Sequence, residues 1–170
     1  YGGSNIALIH APKNAALTLD SCIVTNSSHS GITMNTNAGL SSSDFYTSTL
    51  VMTSTTVSNH KNFGIQMDAY LRSVSAPFGS GENNLSVSDS IIAQNGDSGV
   101  YIDLTGSAQI TTTDIYSNSI SNSPPFGIEA LSTAYVEADG NWWGAADGPS
   151  GTGRSGSGEA VTEYVVVNFW

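Results

Sequence analysis

Along the chain, apolar residues fall at every second position in short blocks. Ile32 and Met34, Ile65 and Met67, Val100 and Ile102, and Ile128 and Ala130 bracket Thr33, Gln66, Tyr101 and Glu129. A period of two is that of a half-buried strand. Nowhere does an i, i+3, i+4, i+7 apolar stripe last three turns, so no helix is predicted. The four blocks open on Gly31, Gly64, Gly99 and Gly127, and residues 6–10 fit the same slot. A second set of strand-like segments lines up at 17–26, 50–59, 85–95 and 110–118, with a fifth starting at Val136. The chain is therefore a repeat of about 25 to 35 residues, its variation falling in the connections.

A unit this short, with two or three strands and no helix, points to a solenoid in which like residues stack about 4.8 Å apart. Corner Asn and Ser residues would then pair with backbone and stack along the axis, and the glycine before each aliphatic strand would supply unusual backbone angles. The expected coils cover about 1–15, 16–49, 50–83, 84–107 and 108–133, with a closing coil and cap over 134–170, all in one domain. The expected core holds Leu17, Ile32, Met34, Leu50, Ile65, Met67, Leu85, Val100, Ile102, Ile110 and Ile128. Residues 36–49 and 69–84 read as long loops carrying Phe45, Tyr46, Tyr70, Leu71, Arg72 and Phe78, which would wall a groove.

This rhythm resembles the right-handed parallel β-helix repeats of the pectate-lyase-like superfamily. The tail Gly140-Asn141-Trp142-Trp143-Gly144, followed by Gly148-Pro149-Ser150-Gly151, resembles the Asn-Trp-Trp-Gly ending that closes many of these proteins. The resemblance implies an all-β fold, a single right-handed parallel β-helix of about five coils. It implies no one activity, because the scaffold hosts lyases, hydrolases, epimerases, adhesins and viral fibres. It also implies that the face formed by the glycine-led strands carries any polysaccharide cleft.

Alternation places two outward columns on that face. One reads Ala7, Thr33, Gln66, Tyr101, Glu129; the other reads Ile9, Asn35, Asp68, Asp103, Leu131. Asp68 and Asp103 thus share a position in adjacent coils. Such a pair can share a proton for acid–base work on a glycosidic bond, bind Ca²⁺ with Asn35, or sit solvated on a polar face. Gln66, Tyr101 and Glu129 are candidate sugar contacts beside it. A lyase would also need a base near the sugar, and Lys61 or Arg72 are the candidates. The motifs of pectate and alginate lyases and of polygalacturonases are missing. Gly151–Gly156 match a dinucleotide-binding glycine pattern by letter, but with no strand before and no helix after they read as a flexible loop. His10, His29 and His60 read as separate surface residues, and Cys22, the one cysteine, as a small buried hydrophobe. Of the two tryptophans, one is expected to plug the last coil and the other to lie over it or meet a loop.

Composition narrows the partners. Lys and Arg together number 4 against 14 Asp and Glu, a net charge of −10, which argues against nucleic acid and anionic membrane. No stretch is apolar enough to insert in a bilayer. A third of the chain is Ser, Thr or Asn, which suggests a secreted or cell-surface setting. The reading reached is an extracellular β-helix module, glycan-binding or part of a surface appendage, belonging to or assembled with a larger protein. The alternative is a small polysaccharide lyase or glycoside hydrolase using Asp68 and Asp103. No cofactor is required, Ca²⁺ being the one ion the face suggests. The first coil lacks a cover of its own, so upstream chain or end-to-end self-association is expected there.

Overall fold

The computed structural model describes residues 5–9, 14–35, 45–68, 80–103, 106–118, 126–131 and 134–170. Among them there is no helix, and each of the first four coils contributes three strands. The first coil has β1 (Ile6–Ile9), β2 (Asn14–Asp20) and β3 (Ile23–Thr25). The second has β4 (Ile32–Asn35), β5 (Phe45–Thr53) and β6 (Thr56–Ser58). The third has β7 (Ile65–Asp68), β8 (Ser80–Ser88) and β9 (Ile91–Ala93). The fourth has β10 (Val100–Asp103), β11 (Gly106–Thr111) and β12 (Asp114–Tyr116). The fifth has β13 (Phe126–Ala130), β14 (Ala134–Glu137) and a single bridge from Trp142 to Asp114. The closing segment adds β15 (Pro149–Gly151), β16 (Gly158–Val161) and β17 (Val165–Val166).

Among the described residues all pairings are parallel, and all but β15 with β16, both in the closing segment, run coil to coil. They build three sheets: sheet A in the order β1-β4-β7-β10-β13-β16-β15, sheet B in the order β2-β5-β8-β11-β14-β17, and sheet C in the order β3-β6-β9-β12. Ile32, Ile65, Val100 and Ile128 are register partners, as are Leu17, Leu50 and Leu85. The core is the interior of this three-sided tube. Every residue expected in it is buried except Leu17, which is half-buried on β2, the edge strand of sheet B.

Two expectations about the connections change. The segments 36–49 and 69–84 are not wholly loop: β5 begins at Phe45 and β8 at Ser80, so coil boundaries at 49/50 and 83/84 cut through sheet B. Phe45 and Tyr46 belong to a strand, while Tyr70, Leu71, Arg72, Phe78 and His10 lie outside the described residues.

The corners obey a rule that differs from the one expected of glycine. Ser21, Ser54, Asp89 and Thr112, between sheets B and C, have φ near +50°, and Asn26, Asn59, Gln94 and Ser117, after sheet C, are also left-handed. Polar side chains thus fill the left-handed corners. Gly31, Gly64, Gly99 and Gly127 have no such angle; they are glycine because the next coil comes too close. A Cβ at Gly99 would sit 2.7 Å from the Gly127 carbonyl oxygen and 2.9 Å from Asn118 Nδ2.

One residue after the left-handed corners lies a polar column, and Thr55, His60, Ser90, Asn95 and Asn118 in it satisfy backbone of the coil before. After sheet C the column reads Ser27, His60, Asn95, Asn118. Ser27 N–H donates to His60 Nδ1 at 3.0 Å, His60 N–H to Asn95 Oδ1 at 3.3 Å, and Asn95 N–H to Asn118 Oδ1 at 3.3 Å. Asn118 N–H donates to Glu159 Oε1 at 3.0 Å, which ends the ladder. His60 is 2% exposed, so its expected place on the surface is wrong. Burial lowers its pKa, and its ring replaces an Asn amide because Nδ1 accepts while Nε2 faces the Val24 carbonyl oxygen at 3.0 Å. At the other corner Thr55, Ser90, Thr113 and Asn141 form a second buried polar column, Thr55 N–H donating to Ser90 Oγ and Thr113 N–H to Asn141 Oδ1. Cys22, at its start, is half-buried and donates to the Asp20 carbonyl.

The tail closes the tube. Trp143 is fully buried in line with Ile115, and alternation turns Trp142 outward, 45% exposed. Gly151–Gly156 form a fixed turn rather than a flexible loop: Arg154 N–H donates to the Gly151 carbonyl, and its guanidinium donates to the Val167 and Val165 carbonyls at 3.0 and 2.7 Å.

Candidate functional site

The outward face of sheet A holds the candidates in register. Asn35 pairs with Asp68 and Asp68 with Asp103; Thr33 pairs with Gln66, Gln66 with Tyr101, and Tyr101 with Glu129. Seven residues from four coils therefore lie in two rows, each step one strand spacing of about 4.8 Å. Asp68 is half-buried and Asp103 exposed. For Asn35 only the backbone position is described. Arg72 lies outside the described residues, and Lys61 sits exposed in the corner before β7, its N–H donating to the Ser27 carbonyl.

Residues just before the glycine column, absent from the sequence reading, fix these side chains from the coil behind. Ser30 Oγ donates to Gln66 Oε1 at 2.6 Å, and Gln66 Nε2 donates to Asp68 Oδ2 at 2.6 Å. Phe63 stacks on Tyr101 with ring centroids 4.7 Å apart and planes 26° from parallel. Ser98 Oγ donates to Glu129 Oε2 at 2.6 Å. The signal was legible as an alternating column, Ser30, Phe63, Ser98, Phe126, each one residue before a glycine.

The electrostatics follow from crowded acids on a partly covered surface. Burial raises the Asp68 pKa, Gln66 pulls it back by donating to the carboxylate, and Asp103 raises it again. Tyr101 is pushed up to about 12, first by burial and then by Asp103, Asp68, Glu129 and Asp97, so its hydroxyl keeps its proton at any physiological pH. The face thus offers a neutral phenol, an oriented amide and several carboxylates. Such a set hydrogen-bonds hydroxyls and orients cations. Among the described residues no three His, Cys, Asp or Glu side chains come together as a metal site. Asp68 and Asp103 alone fall short of the 6–8 oxygens Ca²⁺ takes. Among the same residues no helix is long and apolar enough to cross a membrane.

No curated protein and no solved structure matches the chain. The family described as right-handed β-helix region matches residues 3–142. That span covers most of the chain and the coils whose parallel pairing is described above. The chain belongs to the right-handed β-helix family.

Proposed function

We propose that this β-helix is a secreted or cell-surface module that binds a neutral polysaccharide along the outward face of sheet A. The observation that supports it most is preorganisation: Gln66 and Asp68 are held by a chain of hydrogen bonds from Ser30, and Tyr101 is braced on Phe63. Fixed polar groups beside an aromatic ring lose little freedom when a sugar docks, so more of the contact energy goes into affinity. A net charge of −10 disfavours uronate polymers unless Ca²⁺ bridges them. The strands β1, β2 and β3 are the edges of their sheets, and we assign their cover to preceding chain of a larger protein or to a second copy.

Calorimetric titration with neutral and uronate oligosaccharides, with and without Ca²⁺, tests the reading. Tyr101→Ala and the double change Asp68→Asn, Asp103→Asn are expected to weaken binding about tenfold or more each. Unchanged affinity in both variants refutes it. Asp68 also favours a second reading, glycoside hydrolysis, because a raised acid beside a second carboxylate is the pairing such catalysis uses. Release of reducing ends that disappears in Asp68→Asn would establish that reading over simple binding.

A further inference from the structure

The outward face of sheet B, on a different side of the tube from sheet A, is uneven for a reason written in its rows. One row reads Val51, Ser86, Gln109, Glu137 and the next Thr49, Asn84, Ser107, Tyr135, each residue a register partner of the one before. Stacked coils carrying like side chains would give a flat face. Here the short Ser86 stands in the third coil, while Gln109, Glu137 and Tyr135 stand in the fourth and fifth. The surface therefore rises by a long side chain within two strand spacings of about 4.8 Å each. An open hollow of about 370 Å³ lies at that step, within the size range of small-ligand sites. Strands β8 and β11 floor it at Leu85 and Ala108, whose side chains turn into the core. Tyr135, Glu137 and Gln109 form the high wall, and Thr49, Asn84 and Ser86 complete the lining. All six are exposed or half-buried and alternate with buried neighbours, so their side chains stand on the solvent side of the sheet.

The high wall is held by its own hydrogen bonds. Tyr135 Oη donates to Glu137 Oε1 at 3.1 Å, and Gln109 Nε2 donates to Glu137 Oε2 at a long 3.5 Å. Both carboxylate oxygens thus already accept, and three side chains from two coils are oriented before any ligand arrives. By accepting its hydrogen bond, Glu137 raises the Tyr135 pKa, so the ring stays a neutral phenol. That ring is 55% exposed and offers an apolar face with a polar tip. The lining then selects the ligand. A phosphate or carboxylate would meet Glu137 in a hollow lined by no Lys or Arg. A cation would find one carboxylate whose oxygens are both engaged and a single aromatic ring rather than a cage. A neutral ring bearing hydroxyls fits best, because the amides of Gln109 and Asn84 and the hydroxyls of Ser86 and Thr49 can each donate and accept.

We propose that this hollow is a saccharide site that seats a pyranose ring of a neutral sugar against Tyr135. It is independent of the sheet A site and of the reading built on it. The test is a ¹H–¹⁵N titration of the whole chain with cellotetraose, xylotetraose, mannotetraose and maltotetraose. Backbone amides of Ser86, Gln109 and Glu137 should shift saturably with at least one of them. Tyr135→Ala, which removes the ring, and Ser86→Leu, which fills the hollow, should each weaken that binding about tenfold or more. Both positions are exposed, and unshifted amides at Ile110 and Val136 report that the core is intact in each variant. Amides of Gln66, Asp68 and Asp103 report sheet A in the same spectra, so the two sites succeed or fail separately. No saturable shift at Ser86, Gln109 and Glu137 with any of the four sugars at millimolar concentration overturns the proposal, as does full-strength binding in both variants.

Discussion

Replacing His60 probes the ladder at the one rung where a ring stands in for an amide. Its Nδ1 accepts from the buried Ser27 N–H and its Nε2–H points at the Val24 carbonyl, both at 3.0 Å. His60→Ala removes the acceptor of the buried Ser27 N–H, at about 1–3 kcal/mol, and takes from the Val24 carbonyl its side-chain donor while the sheet C ladder stays in place. His60→Asn should keep both bonds, because Asn118 makes the equivalent pair with Asn95 N–H and the Ile92 carbonyl. Its cost is the ring volume packed over Gly31, about 1–2 kcal/mol. A solenoid opens locally as well as globally, so amide exchange of Ser27 reads the rung more directly than a melting curve. Equal loss of Ser27 protection in the Ala and Asn variants would refute the ladder argument.

The same rung carries a pH dependence with a definite sign. In the unfolded chain His60 titrates near its ordinary 6.5, while burial lowers it in the fold. Below pH 6.5 the unfolded state therefore binds the proton first, and stability falls by up to about 1.4 kcal/mol per pH unit until the folded value is reached. The proton has nowhere to go in the ladder: on Nδ1 it would face the Ser27 N–H, donor against donor. Ser27 protection, corrected for intrinsic exchange, should decline from pH 7 towards pH 5 in the wild type and stay level in His60→Asn. Parallel declines would show that another group is responsible.

Three further outcomes are expected. Gly99→Ala should destabilise the fold by at least about 1–3 kcal/mol in urea unfolding, because its methyl meets the Gly127 carbonyl and Asn118 at under 3 Å and sits beneath the ladder. Trp143→Ala should cost about 3–5 kcal/mol and Trp142→Ala no more than about 0.5, since the first is fully buried and the second faces out. Glu159, whose pKa burial raises, should make stability fall as pH climbs from 4.5 through its folded value, and Glu159→Gln should flatten that part of a urea pH series.

How much of this was legible depends on which physical constraint wrote each position. The four-residue strands of sheet A keep strict alternation, so aligning Gly31, Gly64, Gly99 and Gly127 sufficed to pair Asn35 with Asp68 and Asp68 with Asp103. A one-residue slip would have turned Ile65 and Met67 to solvent, which is why the register was so strongly marked. Sheet C was harder, because its strands have only three residues and one inward side chain each, too few for a period to show. Corner Asn and Ser were expected to pair with backbone and stack, and they do; the burial of the ladder, and of His60 in it, was missed for a related reason. Ser27, His60, Asn95 and Asn118 are polar, and a polar residue in a turn is ordinarily a surface residue; only the left-handed residue before each of them turns the side chain inward.

The glycines show the same confusion of causes. A residue without a side chain signals either an unusual φ or a close neighbour, and sequence letters do not separate the two. Here the left-handed corners took Ser, Asn, Asp, Gln and Thr, and the glycine column took the close contact with the ladder of the next coil. That contact links the ladder to the candidate face. The chain from Asn118 through Gly99 continues one residue on into Val100 and Tyr101, and from Asn95 through Gly64 into Ile65 and Gln66. The spacing of the outward rows on sheet A is therefore held by buried amides on the inside of the same coils. A surface this regular is ordered from inside its own coils, and under the proposed binding of a repeating polymer that regularity would be the complementary shape.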